Sequence, residues 1–178
     1  GDPGVLAARE AARGPVIGIA EAAMRVACMI ATRFSVVTTL ARTKIIAEHL
    51  VIQNGFQHQC AKIRATDIAV LSLEQSGDRT RQAIIEESHV AVAEDEVGAI
   101  VLGCAGMADL VEEVSSAIGV PVVEGVAAAV KLAEGIVALG LGTSKHGDLA
   151  YPLHKPYTGT LSYLSPMAAA SEPGSGAA

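Results

Sequence analysis

The stretch Ala99-Ile-Val-Leu-Gly-Cys-Ala-Gly-Met-Ala108 reads as a buried strand that stops at a cysteine opening a helix. Ala99 to Leu102 form a short continuous apolar run, the pattern of a strand covered on both faces. Gly103 lets the backbone turn sharply beside whatever binds there. From Met107 to Ile118 apolar residues fall at 107, 110, 111, 114 and 118, a helical spacing. Cys104 is thereby expected at the carboxyl end of a strand and the amino end of a helix. Ligands bind at that edge of open α/β sheets, and the free N–H groups and positive dipole end of a helix favour a thiolate. Free cysteine is also among the most buried residue types, so position alone leaves a reactive thiol and a small core hydrophobe both open.

Outward from this stretch, apolar β-rich runs alternate with helical patterns, the signature of an α/β fold with a mainly parallel sheet. Strands are expected at 15–20, 34–39, 62–66, 99–102 and 120–123. Helices are expected at about 5–12, 21–31, 40–53, 78–94, 107–118 and 125–139. Asn54-Gly55 is a natural stop for the third helix, and Asp78 a cap for the fourth. Beyond about Gly142 the pattern fades. From Ser165 onward Ala, Ser, Gly and Pro dominate, as in a flexible tail.

Composition narrows the partners. The chain has 178 residues, 51% of them hydrophobic, enough for one good core or two small lobes. Its net charge of −6, lack of a basic cluster and scarcity of aromatic residues argue against nucleic acid and for a small molecule. Cys28, Cys60 and Cys104 are odd in number and lack Cys-x-x-Cys spacing, so no disulfide framework or zinc site is suggested. A reducing, cytoplasmic location is the expectation. No apolar run approaches the roughly 18 residues of a membrane helix, and no signal-peptide pattern is visible. Gly1 is not an initiator Met, so the true amino terminus is out of view.

One internal correspondence bears on organisation. Gly14-Pro-Val-Ile-Gly-Ile-Ala-Glu-Ala-Ala-Met24 matches Val120-Pro-Val-Val-Glu-Gly-Val-Ala-Ala-Ala-Val130, each a Pro-led apolar strand feeding an alanine-rich helix. If the two belong to related lobes, the counterpart of Cys104 falls just upstream of Gly1. Gly1-Asp-Pro-Gly4 then becomes the turn after a strand outside this sequence. Chance similarity of two Pro-Val-Ile/Val strings is the competing explanation.

The ordered set Gly1-Asp-Pro-Gly4, Pro15-Val-Ile-Gly-Ile-Ala-Glu-Ala-Ala23, Phe34-Ser-Val-Val-Thr-Thr39, Val101-Leu-Gly-Cys-Ala-Gly-Met-Ala-Asp109 and Val122-Val-Glu-Gly-Val-Ala-Ala-Ala129 resembles the hydantoin and allantoin racemases of the aspartate/glutamate racemase superfamily. The resemblance runs from Gly1 to about Ser144. It implies two pseudo-symmetric Rossmann-like lobes that close over the substrate, each supplying a cysteine, with leading strands of the first lobe outside this chain. It divides the sequence into 1–25 (remainder of the first lobe), 26–124 (second lobe), 125–150 (return to the first) and 151–178 (an extension, flexible from about 165). Cys104 corresponds to the second-lobe cysteine. The first-lobe cysteine falls two residues before the Gly-Asp-Pro-Gly turn, so this chain alone is expected to be catalytically incompetent. The resemblance also implies homo-oligomers and no cofactor or metal.

Racemising a carbon beside a carbonyl needs an acid and a base on opposite faces. Two thiols suit this, since the ordinary thiol pKa of about 8.5 can be lowered at a helix terminus. Backbone N–H groups in Gly1-Asp2-Pro3-Gly4 and Cys104-Ala105-Gly106-Met107 are expected to hold the enolate. Thr38 and Thr39 are expected to bind a ring carbonyl or N–H, beside Gly103. Amino-acid racemases of the superfamily carry Gly-Cys-Thr-His where this chain has Gly-Cys-Ala105-Gly106, which favours a neutral 5-substituted hydantoin or allantoin over an amino acid. The competing functions are an aspartate/glutamate-type racemase, a decarboxylase-like relative, or an inactive small-anion-binding fragment. Glu21 and its counterpart Glu124 fit either substrate contact or helix-dipole pairing, and Asp2 either a ligand or a turn former. Cys28, Cys60 and the histidines at 49, 58, 89, 146 and 154 read as structural or surface residues, and Arg79, Arg81, Glu86 and Glu87 as a solvated helix face.

Overall fold

Phe34-Ser-Val-Val-Thr38 and Ala99-Ile-Val-Leu102 become adjacent parallel strands because each is apolar on both faces and every one of their residues is buried. The computed structural model describes residues 1–69, 77–153 and 155–165. In chain order it contains α1 (Val5–Ala11), α2 (Ile19–Ile30), β1 (Phe34–Thr38), α3 (Lys44–Gln53), β2 (Cys60–Ala65), α4 (Gly77–Asp95), β3 (Ala99–Leu102), α5 (Val111–Ile118), β4 (Val122–Val123) and α6 (Gly125–Ala138). Short 3-10 turns occupy Ala41–Thr43, Ala105–Leu110, Gly147–Leu149 and Gly159–Leu164.

The four strands form one parallel sheet in the order β2-β1-β3-β4. Val36 pairs with Val101 and Val37 with Leu102 at its centre. Side chains alternate between two cores. Phe34, Val36, Ala99, Val101 and Val123 pack with Ala22, Ala23, Met24 and Ala27 of α2, Val51 of α3, and Ala128 and Ala129 of α6. Val37, Ile100, Leu102 and Val122 pack on the opposite face with Ile84 and Ala91 of α4 and Val114 and Ile118 of α5.

The α/β class and parallel sheet agree with the sequence reading, and three local differences have physical causes. Residues 15–18 run extended without joining a sheet, and the helix begins at Ile19; among the described residues no strand lies beside them to complete a ladder. Helix α5 begins later than expected, at Val111, because Met107 and Leu110, three apart, are both buried by the 3-10 turn before it. Likewise α3 is entered through a 3-10 turn. Asn54-Gly55 ends α3 with Gly55 at φ +79°, and Asp78 lies in the first turn of α4. The tail expected from about 165 lies, beyond Ser165 itself, outside the described residues, as does His154.

An ionic network is buried at Arg64 and Asp95 and reaches solvent at Glu94. Arg64 of β2, 7% exposed, donates from Nε and Nη2 to Asp95 at 2.8 and 2.7 Å and from Nη2 to Glu94 at 2.7 Å. Ser35 of β1 donates to the same Asp95 carboxylate at 2.7 Å. The end of α4 is thus tied to the two strands beneath it. The apolar layers supply most of the fold's stability, at about 1.5–3 kcal/mol per fully buried large side chain, whereas a buried ion pair is close to neutral against its desolvation. Breaking the network is costly all the same, because a desolvated group loses its partner.

The Arg64 guanidinium holds the Asp95 carboxyl below its ordinary range. A carboxyl lowered in the folded state contributes fully above its unfolded pKa of about 3.9 and loses that contribution as pH falls through the folded value. Asp95→Asn is expected to lose about 1.5–3 kcal/mol at pH 7 in urea unfolding. Its stability should also fall less steeply than that of the parent between about pH 5 and pH 2.

Candidate active site

The strand order places a crevice where chain direction diverges. From β1 the chain crosses to β2 through α3 on one face, and from β3 it crosses to β4 through α5 on the other. Loops leaving adjacent β1 and β3 therefore separate, and ligands bind at such a switch point in doubly wound sheets. Thr38 and Thr39 lie at the end of β1, Gly103 and Cys104 at the end of β3.

The two strand ends approach closely. Gly103 N–H donates to the Val37 carbonyl at 2.8 Å. A Cβ at position 103 would stand 2.8 Å from Thr38 Cβ and 3.0 Å from its Oγ1. Glycine is required here by a neighbouring side chain, not by an unusual backbone angle.

A cavity of about 260 Å³ opens over these ends. It brings together Gly1, Thr38, Thr39, Gly103, Cys104 and Ala105 from the expected site. Among the described residues lining it, Cys104 has the one titratable side chain, and no lysine or arginine is present. Cys104 is half-buried. Its backbone is extended, and Met107 N–H turns back onto its carbonyl at 3.0 Å. The N–H groups of Cys104, Ala105 and Gly106 have no acceptor among the described residues. Of these residues Cys104 and Ala105 line the cavity, so their N–H groups are the ones available to an anion there.

The threonines supply that end with directional groups. Thr43 donates its hydroxyl proton to the Leu40 carbonyl at 2.7 Å, so across the 3.5 Å separation between Thr38 and Thr43 oxygens the donor is Thr38. The Thr38 oxygen keeps lone pairs for a ligand N–H. Thr39, 3% exposed, has no partner for its hydroxyl among the described residues. The opposite wall is apolar: Met24 of α2 and Ile46, Ala47, Leu50 and Val51 of α3.

Other expected site residues are placed elsewhere. Asp2, Pro3, Gly4 and Glu21 line an adjoining polar cleft that shares Gly1 and Leu50 with the cavity. Asp2 accepts from the N–H groups of Ala20 and Glu21, each at 3.0 Å. Glu21 accepts from Arg9 at 2.7 Å and Arg25 at 3.0 Å, so its carboxylate is engaged within the protein. Gly106 is exposed and Met107 wholly buried in the core; neither lines the cavity. Glu124 caps α6 through Val126 and Ala127 N–H. Burial pushes the Cys60 thiol up to about 12 and raises Cys28 as well, which suits neither to proton transfer near neutrality. His49, His58, His89 and His146 are exposed and away from the cavity. No cluster of three or more His, Cys, Asp or Glu able to hold a metal occurs among the described residues.

Sequence reading missed Thr43 and the α3 wall. A signal existed: Lys44–Gln53 is apolar on more than one side, leaving Ile45 and Ile46 half exposed. Such a helix faces both a core and a cavity.

Known proteins resemble this chain along most of its length. A family model described as Asp/Glu/Hydantoin racemase matches residues 1–133. A hydantoin racemase of Rhizobium meliloti is 50% identical over 158 residues, covering 89% of this chain and 66% of that protein. A hydantoin racemase of Pseudomonas sp. (strain NS671) is 47% identical over 161 residues, covering 90% and 65%. The structure of an allantoin racemase from Klebsiella pneumoniae superposes with a TM-score of 0.86 at 55% identity, over 93% of this chain and 67% of that one. The chain spans just under two thirds of the length of the two hydantoin racemases.

Gly103→Ala is expected to destabilise the protein by about 1–3 kcal/mol in denaturant unfolding, because Thr38 must move. Gly14→Ala, where an added Cβ meets nothing within 4 Å, should stay within about 0.5 kcal/mol of the parent.

Proposed function

The chain belongs to the Asp/Glu/Hydantoin racemase family, and from that premise we propose that Cys104 exchanges a proton with the ring carbon of a 5-substituted hydantoin, allantoin included. The carrying observation is the cavity: one thiol, the free backbone N–H groups of Cys104 and Ala105, three threonines and a wall of apolar side chains. The names of the relatives, hydantoin racemases and an allantoin racemase, support the same substrate class.

The chemistry follows from charge. As thiolate, Cys104 takes the C5 proton; the C–H pair moves into the ring and the charge reaches the C4 carbonyl oxygen. The N–H groups of Cys104 and Ala105 stabilise that oxygen where charge develops. Thr38 accepts a ring N–H, and Thr39 donates to a ring carbonyl. Return of a proton to the other face needs a second acid. We place it on residues leading into Gly1, which lines the same cavity. Neither a metal nor an organic cofactor has a step in this scheme.

A neutral ring fits better than an amino acid. An α-carboxylate entering this cavity would give up hydration without meeting a lysine or arginine among the lining residues, and burying an unpaired charge costs several kcal/mol. A ring amide needs only hydrogen bonds. Self-association, which the family resemblance implies, is part of the same reading; Met29 at 72% and Leu139 at 74% exposure are apolar side chains it could cover.

Cys104→Ser, in a chain that includes the residues leading into Gly1, is expected to slow loss of optical rotation from an enantiopure 5-alkylhydantoin by at least about a hundredfold. Solvent deuterium should enter C5 during turnover by the parent protein. Unchanged racemisation by the serine variant would remove Cys104 from the mechanism.

A further inference from the structure

We propose that Asp2 is a positioning residue, whose carboxylate clamps the Gly1–Gly4 turn onto the amino end of α2 and so fixes the cavity wall formed by Gly1, Ile19 and Ala20. The inference rests on the reading of that cavity as the substrate site.

Both oxygens of Asp2 are engaged. Oδ1 accepts from Ala20 N–H and Oδ2 from Glu21 N–H, at 3.0 Å each. These are among the first N–H groups of α2, which the helix itself leaves without acceptors. The residue preceding the helix is Gly18, in extended conformation and without a side chain to cap it. Asp2 supplies from a distant turn the oxygens that a local Ser or Asp would ordinarily supply. Gly18 is also what admits it: an added Cβ there would overlap the Asp2 carboxylate.

The turn is held in an uncommon shape. Asp2 has φ +36° and Gly4 φ +74°, and a non-glycine residue at positive φ persists where its surroundings over-determine it. Here the two hydrogen bonds do so. The amino end of α2 is restrained from a second side, since an added Cβ on Gly125 would stand 2.5 Å from the Ile19 carbonyl oxygen. Gly1 on one side of the clamp and Ile19 and Ala20 on the other all line the cavity that holds Cys104. The positive end of α2 is thereby satisfied by Asp2 and is not left for a substrate anion.

The test compares Asp2→Ala, Gly18→Ala, their double variant and Asp2→Asn, which keeps an acceptor oxygen and tolerates positive φ. It uses the full chain with the residues leading into Gly1. The readouts are amide hydrogen exchange at Ala20 and Glu21, iodoacetamide alkylation of Cys104 by peptide mapping, and kcat and KM on an enantiopure 5-alkylhydantoin. Asp2→Ala and Gly18→Ala should each raise amide exchange and Cys104 alkylation by about tenfold. Each should lower kcat by about tenfold or more with KM changed less than about threefold. The double variant should be no worse than either single, as two changes that break one contact are not additive, and Asp2→Asn, with one acceptor oxygen left for two N–H groups, should recover part of the loss.

Unchanged exchange at Ala20 and Glu21 in Asp2→Ala would overturn the clamp. So would additive effects, or a rise in KM alone shared by Asp2→Asn, which would make Asp2 a ligand. If Cys104→Ser keeps full activity, the reading of the cavity fails separately, and the exchange arm still decides whether Asp2 clamps α2.

Discussion

The close approach of Gly103 to Thr38 is the contact on which the site depends. Two parallel strands whose outgoing loops diverge to opposite faces leave a gap at their carboxyl ends. The gap is usable only if the chain leaving β3 hugs β1 before turning away. Gly103 permits this by presenting hydrogen where any other residue would present carbon against Thr38. Its N–H bond to Val37 extends the β1–β3 pairing by one residue beyond Leu102. Cys104 and Thr38 are therefore fixed relative to each other by the sheet, and sites built on rigid elements hold geometry better than sites on free loops.

Charge is distributed to keep that gap neutral. The acidic and basic side chains near it are engaged with protein groups: Glu21 with Arg9 and Arg25, Asp2 with the start of α2, and Glu124 with the start of α6. Farther off, Arg64 gathers Asp95, Glu94 and Glu87 against α4. Among the described residues lining it, the cavity keeps hydroxyls, backbone N–H groups and one thiol. In the proposed reaction a neutral ring would enter at low desolvation cost, and charge forming on it would meet fixed dipoles in a weakly screened space.

The central strands were legible because Phe34–Thr38 and Ala99–Leu102 are apolar on both faces, and only a sheet covered on both sides satisfies that pattern. Cys104 was legible for the same reason, as the first polarisable group after such a run. The extended segment before α2 was not: Pro15-Val-Ile has the composition of a strand, but a strand exists only where another pairs with it, and pairing is not written in a local window. Asp2 and Glu21 were singled out for proximity to a turn and a helix start. Their partners, Ala20 N–H, Arg9 and Arg25, could be assigned only once the chain was folded. The α3 wall escaped because a helix that faces a core on one side and a cavity on another loses the one-sided periodicity by which amphipathic helices are recognised.

The form of the segment after Cys104 changes how a thiolate there would be stabilised. A regular α-helix starting at Cys104 would offer an aligned dipole along several turns. The chain instead passes through a 3-10 turn from Ala105 to Leu110 before α5 begins at Val111. The dipole of α5 thus begins beyond the 6 residues of that 3-10 segment, about two turns away, and its influence falls off within about one turn. Stabilisation must come from near, individually placed N–H groups, and those of Cys104, Ala105 and Gly106 are free to provide it. In the proposed reaction negative charge would pass from the sulfur to the ring and back, and donors that bind neither charged state strongly would keep both accessible.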